Sequence, residues 1–197
     1  AAALGFGLGL GRPRRVLVVD FGGGTLHFAL VALSARDAES GAARVLAKEG
    51  RPLGGNRVDE WLLHEFCLRL GFDIDTRAGD EENAFWRRLM LREACRVKEA
   101  LFFKPSAIFH LTPPDYLRVG APAAAGEFPW LEITRERLVE VLEQRGLYRA
   151  LEECLAAILE QSQPLGIGEA EIEEVLLVGG STLLPGVYPF FEGRFGR

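Results

Sequence analysis

The run Val16-Leu17-Val18-Val19-Asp20, broken at once by Gly22-Gly23-Gly24, constrains this chain more than any other feature. Four consecutive apolar residues without alternation are the pattern of a strand buried on both faces, as in the middle of a sheet covered by helices. Such a layered architecture needs enough apolar residues for a real core. At 197 residues, 48% of them hydrophobic, the chain suffices for one domain or two small subdomains.

Further runs extend the sheet. His27 to Leu33 and Ala42–Lys48 read as two more strands, with the polar segment Ser34–Gly41 as their turn, so three sequential strands form a meander. Beyond Leu53-Gly54-Gly55 the period changes from two to 3.6. Val58, Trp61, Leu62, Phe66 and Leu70 share a face and predict a helix over Asn56–Leu70, ended by Gly71. A polar, acidic interval at Asp73–Glu82 precedes a longer helix whose stripe is Trp86, Leu89, Met90, Ala94, Val97 and Leu101, stopped by Pro105. Ala107–Leu111 and Tyr116–Val119 alternate like strands of a small sheet, punctuated by Pro113-Pro114 and Gly120–Gly126. Thr134 suits the cap of a helix bearing Leu138, Val141 and Leu142, and Leu151, Leu155 and Ile158 carry that stripe to about Gln161, with a kink at Gly146. Glu173–Val178 predicts a buried strand, Gly179-Gly180-Ser181 a tight turn, and Pro185 to Phe195 a final helix. No fixed-period repeat occurs.

Charge and cysteine content exclude several classes. A formal net charge of -5, with both signs interspersed, gives no general attraction to nucleic acid or to an acidic membrane. The opening AAALGFGLGLG lacks a basic n-region and is too short to span a bilayer, and it reads as the end of a helix stopped by glycines. Cys67, Cys95 and Cys154 form no CxxC pair, and each lies in an apolar helical pattern, which predicts buried reduced thiols in a cytosolic protein.

Chemistry concentrates in three glycine clusters, each at the end of a predicted strand. In Asp20-Phe21-Gly22-Gly23-Gly24-Thr25 the glycines let main-chain N–H groups approach an anion, and Thr25 adds a hydroxyl. Asp20 would repel a bare phosphate, so a divalent cation or its coordinated water belongs between them, and Mg²⁺ is implied. No GxxxxGK[ST] loop occurs, nor does a GxGxxG fingerprint open a helix. The second cluster is Gly54-Gly55 before Asn56, with Asp59 one helical turn inward. The third, Val178-Gly179-Gly180-Ser181-Thr182, is a strand-to-helix turn whose N–H groups can receive a phosphate or a nucleoside edge. Each cluster alone is equally compatible with an ordinary turn.

Taken in order, strand–DFGGGT–strand–strand–LGG–helix, long helix, small hairpin, helix and VGGST resemble lobe II of the nucleotide-binding domain of the DnaK-type, seventy-kilodalton heat-shock chaperones over nearly the whole chain. The resemblance implies an α/β, actin-like ATPase (ribonuclease-H-like) lobe with a smaller α+β cap subdomain. It places the base over 14–52 and 166–197, the cap over 53–165, and the end of an interlobe helix with its linker over 1–13. Lobe I, which carries the family's catalytic lysine, is expected upstream, and the closing helix after Arg197. Carried over residue by residue, Gly22, Gly23, Gly24 and Thr25 would hold the β- and γ-phosphates of ATP or ADP, and Asp20 would position Mg²⁺ through its water. Asp20 and Thr25 are thus the catalytic candidates. Gly55 would lie near the ribose or phosphate, Lys98 would contact the nucleoside, and Gly179, Gly180 and Ser181 would close over the adenosine.

The chain also departs from the family. His27 stands where a second aspartate usually follows the glycine run, Cys95, Glu99 and Phe102 replace the usual glutamate, arginine and serine of the long helix, and Leu183 replaces the arginine after VGGST. The resemblance implies a cytoplasmic, ATP-dependent chaperone whose partners are its own lobe I, a substrate-binding domain, a nucleotide-exchange factor, a co-chaperone and unfolded polypeptide clients. A regulatory or scaffold relative with weakened hydrolysis is the alternative, and an actin-like filament protein or small-molecule kinase a third reading. Half a cleft should bind nucleotide weakly and hydrolyse essentially none.

Overall fold

The computed structural model describes residues 14–34, 43–71, 81–111 and 130–196. The chain divides into two compact units, Ala1–Gly55 with Gly146–Arg197, and Asn56–Arg145.

The first unit is built on β1 (Arg14–Phe21), β2 (Leu26–Leu33), β3 (Arg44–Arg51) and β6 (Glu174–Val178), in the order β3-β2-β1-β6. Strands β1, β2 and β3 form the expected antiparallel meander, whereas β6 runs parallel to β1 with Asp20 opposite Val178. Val16, Leu17, Val19 and Phe21 are buried, so β1 is covered on both faces. One face carries a cluster of Val16, Val31 and Leu33. On the other, Phe28, which pairs with Val19, meets Phe191 with ring centroids 5.8 Å apart. That phenylalanine lies on α5 (Val187–Phe195), and α4 (Leu147–Ser162) packs against β2 and β3. Leu147, Leu151, Cys154, Leu155 and Ile158 are its buried stripe.

Three expectations change here. Residues 146–165, grouped with the cap from sequence, belong with this sheet, because the apolar stripe of α4 finds its cover on β2 and β3. The kink at Gly146 is a full break in the left-handed region at φ 79°, separating α3 (Arg135–Gln144) from α4. The strand at Glu174–Val178 is half-buried along its length. Among the described residues it pairs only with β1.

The second unit contains α1 (Gly55–Leu70, its first residue shared with the other unit), α2 (Glu81–Phe103), the hairpin of β4 (Ser106–His110) with β5 (Trp130–Thr134), and α3. The sequence-predicted helices are recovered, with Gly71 at φ 71° ending α1. Val58, Leu62, Phe66, Ala94, Val97, Leu101, Phe109 and Ile133 form the core. Phe66 and Phe109 stack with centroids 4.0 Å apart. The predicted strand at Tyr116–Val119 lies outside the described residues. Strand β4 pairs with Trp130–Thr134, a stretch the sequence left unassigned before its Thr134 cap. Thr134 does cap α3, accepting the Arg137 N–H at 3.2 Å. No helix among the described residues is long and apolar enough to cross a membrane.

Candidate functional site

The three glycine turns, separated in sequence by as many as 159 positions, meet at the ends of β1 and β6. The first turn closes on itself, the Gly22 N–H donating to the Thr25 carbonyl at 3.1 Å. The Gly22 carbonyl in turn accepts the Gly55 N–H at 3.0 Å and the Ser181 hydroxyl at 2.9 Å. Packing explains why these positions are glycines. A Cβ on Gly54 would sit 2.4 Å from the Gly23 carbonyl oxygen, and one on Gly179 would sit 2.4 Å from that of Phe21. Gly179 also adopts φ 93° and ψ 148°, a conformation essentially confined to glycine. The Thr182 hydroxyl closes the third turn on the Gly179 carbonyl at 2.7 Å.

What faces outward is a rim of exposed groups. Asp20, Gly23, Gly24, Thr25, Gly179 and Gly180 are exposed. A Cβ on Gly22, Gly24 or Gly180 would meet nothing within 4 Å. The rim stands at the carboxyl ends of two parallel neighbours, β1 and β6, where open α/β sheets bind their ligands. Gly55 and Ser181 differ from it: both are buried, and their donors are directed to the Gly22 carbonyl rather than outward.

Asp20 is an exposed carboxylate directly across the strands from His27. The His27 imidazole rests over Gly50, its Nδ1 lying 2.6 Å from where a Cβ there would be. Among the described residues no group of three His, Cys, Asp or Glu could hold a metal together. One carboxylate beside main-chain donors and a hydroxyl suits a hydrated Mg²⁺, which keeps most of its waters and is bound through one or two carboxylates plus phosphate oxygens.

Lys98 lies in the second unit, on α2, and is not the solvated helix charge that its polar character suggests. Its ammonium meets Asp59 Oδ1 at 2.8 Å, and both side chains are only 8% exposed. Burial raises the Asp59 carboxyl above its ordinary value, with the hydrogen bond and charge of Lys98 opposing the shift. Cys95, one turn back on α2, lies 3.6 Å from Glu99 and has its thiol pushed up by burial. Cys67 and Cys95 are half-buried rather than fully buried, and only Cys154 is buried, because the first two stand at the margins of their helices' apolar faces. Phe102 is half-buried with its ring edge-on to Phe103, and Leu183 is exposed.

Within the second cluster it is Gly54, not Gly55, that makes the tight approach, since adjacent glycines are equivalent until a packing partner is known. Asp59 stands in that cluster by sequence, and nothing local marks it as the counter-ion of a residue 39 positions on.

The Hsp70 protein family model matches residues 1–197. The chain is 34% identical over 200 residues to a chaperone protein HscA homolog of Acidithiobacillus ferrooxidans, covering 99% of this chain and 27% of that protein. It is 31% identical over 191 residues to a heat shock cognate HSP70 protein of Trypanosoma brucei brucei, covering 95% and 25%. A chaperone protein DnaK of Stenotrophomonas maltophilia is 29% identical over 204 residues, covering 100% and 29%. The chain thus spans little more than a quarter of the length of the curated relatives it matches. With a family match along its entire length, a mixed α/β fold and glycine turns gathered at the strand ends, the chain belongs to the Hsp70 family.

Proposed function

We propose that this chain is the ATP-binding second lobe of an Hsp70-type nucleotide-binding domain, which in the longer protein couples ATP binding and hydrolysis to the handling of unfolded polypeptides. The observation that carries the reading is the convergence of three glycine turns on the Gly22 carbonyl, which leaves Gly23, Gly24, Thr25, Gly179 and Gly180 exposed at the carboxyl ends of β1 and β6. Main-chain N–H groups without Cβ obstruction are suited to phosphate oxygens. Gly22, Gly23, Gly24 and Thr25 would serve the β- and γ-phosphates, Gly179 and Gly180 the adenosine, and Lys98 the nucleoside. Gly55 and Ser181 would act one step removed, by fixing the loop that offers the N–H groups. Asp20 would hold a Mg²⁺-bound water, the ion supplying charge neutralisation between carboxylate and phosphate. A nucleotide-exchange factor, a co-chaperone, lobe I and a substrate-binding domain are the partners this role requires.

Gly24→Val tests the reading without threatening the fold, because a side chain there meets open space. The wild-type chain should bind Mg-ADP weakly, with amide shifts at Gly23 and Gly24 in NMR titrations and no measurable turnover. The variant should keep its melting temperature and lose those shifts. Equal binding by Gly24→Val, or tight binding and turnover by residues 1–197 alone, would count against the proposal.

A further inference from the structure

One row of residues crosses three strands of the first unit beside the Gly22–Gly24 turn. Gly50 on β3 is paired with His27 on β2, and His27 is paired with Asp20 on β1. Directly opposed residues of antiparallel neighbours project from the same face. His27 therefore has Asp20 on one side and Gly50 on the other, and both it and Asp20 are exposed.

The imidazole takes the Gly50 side. Its Nδ1 and Cε1 lie 2.6 Å and 3.0 Å from where a Cβ on Gly50 would stand, so any other residue there would claim the ring's place. The backbone does not call for glycine at this position. Gly50 has no positive φ, and the Leu26 carbonyl oxygen, 3.5 Å from the Cβ position, would be in ordinary contact. Glycine inside a strand weakens it and marks a close approach, which here is the approach of the ring.

Coordination chemistry gives that seat a purpose. Carboxylate and water suit Mg²⁺ and Mn²⁺, whereas imidazole nitrogen favours later metals such as Ni²⁺ and Zn²⁺. An imidazole turned toward Asp20 would set a nitrogen donor beside the carboxylate. We infer that Gly50 is a positioning residue that seats the His27 imidazole away from Asp20, leaving the carboxylate to meet a hard divalent cation through water. This inference rests on the reading of Asp20 as the carrier of a Mg²⁺-bound water. It accounts for a histidine beside such a carboxylate without making it a ligand.

Gly50→Ala removes the seat with one methyl group, and the atoms it displaces are the tip of a side chain free to change rotamer. With that side filled, the remaining neighbour across the row is Asp20. Residues 1–197 are compared as the wild type, Gly50→Ala, His27→Ala and the double variant Gly50→Ala/His27→Ala. Each is titrated with Mn²⁺ alone, a paramagnetic stand-in for Mg²⁺, and with Ni²⁺ alone. NMR follows the Gly22, Gly23 and Gly24 amides and the His27 ring protons. Mn²⁺ should broaden the glycine amides of the wild type. His27→Ala should show the wild-type ratio of Ni²⁺ to Mn²⁺ affinity, because the seated ring takes no part. In Gly50→Ala that ratio should rise about tenfold, the scale on which changes around a metal ligand act, with the His27 ring signals broadened by Ni²⁺. The double variant should return to the wild-type ratio. An unchanged ratio in Gly50→Ala, or a raised one that persists in the double variant, overturns the inference. So does a lower ratio in His27→Ala than in the wild type, since the ring would then already be a ligand. Wild-type glycine amides silent to Mn²⁺ but responsive to Mg-ADP overturn both the inference and the Asp20 reading while leaving the phosphate reading intact. Silence to both probes overturns all three.

Discussion

Gly179→Ala probes how tightly the interlocked glycine turns are built, because two independent penalties fall on one methyl group. The first is conformational. At φ 93° and ψ 148° an L side chain costs about 1–3 kcal/mol. The second is steric: the new Cβ would lie 2.4 Å from the Phe21 carbonyl oxygen and 2.7 Å from its carbon. Those atoms are main chain at the end of β1, held by the pairing of that strand with β2 and β6, so they cannot swing aside as a side-chain tip would. Overpacking of this kind costs about 1–3 kcal/mol. Together they come to about 4 kcal/mol, a large part of the stability of an ordinary domain. For a unit of roughly 100 residues that corresponds to a melting temperature lower by on the order of 20 °C. Hydrogen exchange read by mass spectrometry is the suitable assay, because it reports β1 and β6 separately from the second unit. Gly179→Ala should speed exchange over Val16–Asp20 and Glu174–Val178. Gly180→Ala is the matched control, one residue away with nothing within 4 Å of its Cβ, and should change stability by less than about 0.5 kcal/mol. If the two variants exchanged alike, the interlocked-turn account of the site would be wrong.

Two further outcomes follow from the second unit. Thr134→Ala removes the acceptor of the Arg137 N–H and should destabilise α3 by about 1 kcal/mol in urea unfolding, with Thr134→Ser recovering most of it. Asp59 holds its proton more firmly when folded than when unfolded, so its protonated form favours the folded state; that contribution is complete below about pH 4 and is lost as pH rises through the raised folded value. The stability difference between the wild type and Asp59→Asn should therefore shift against the wild type as pH rises from 4 towards neutrality, and a difference flat across that range would contradict the burial of Asp59.

Much of the architecture was legible from local pattern. The uninterrupted run at Val16–Val19 reads as a strand covered on both faces because burial on both sides leaves no polar alternation, and β1 is just that. The stripes of α1 and α2 and the stop at Gly71 depend on neighbours within a turn or two, which is why they were recovered. Strand β5 was not, since Trp130–Thr134 acquires its strand character from pairing with β4 rather than from strong alternation of its own. The side of the molecule to which α4 belongs was equally undecided, because an apolar stripe says that a helix is covered and not by what.

The candidate site divides the same way. Three glycine turns at strand ends, their residue types and their order are properties of the sequence, and they suffice to suggest main-chain N–H groups offered to an anion. Their meeting at the Gly22 carbonyl, the exclusion of a Cβ at Gly54 and Gly179, the inward use of Gly55 and Ser181, and the pairing of Lys98 with Asp59 were decided only by tertiary structure. The physical reason is one of range. Backbone conformation and apolar period are set by atoms a few residues apart, whereas hydrogen-bond partners, steric exclusion and the compensation of a buried charge are set by whichever distant segment the fold brings within about 3 Å.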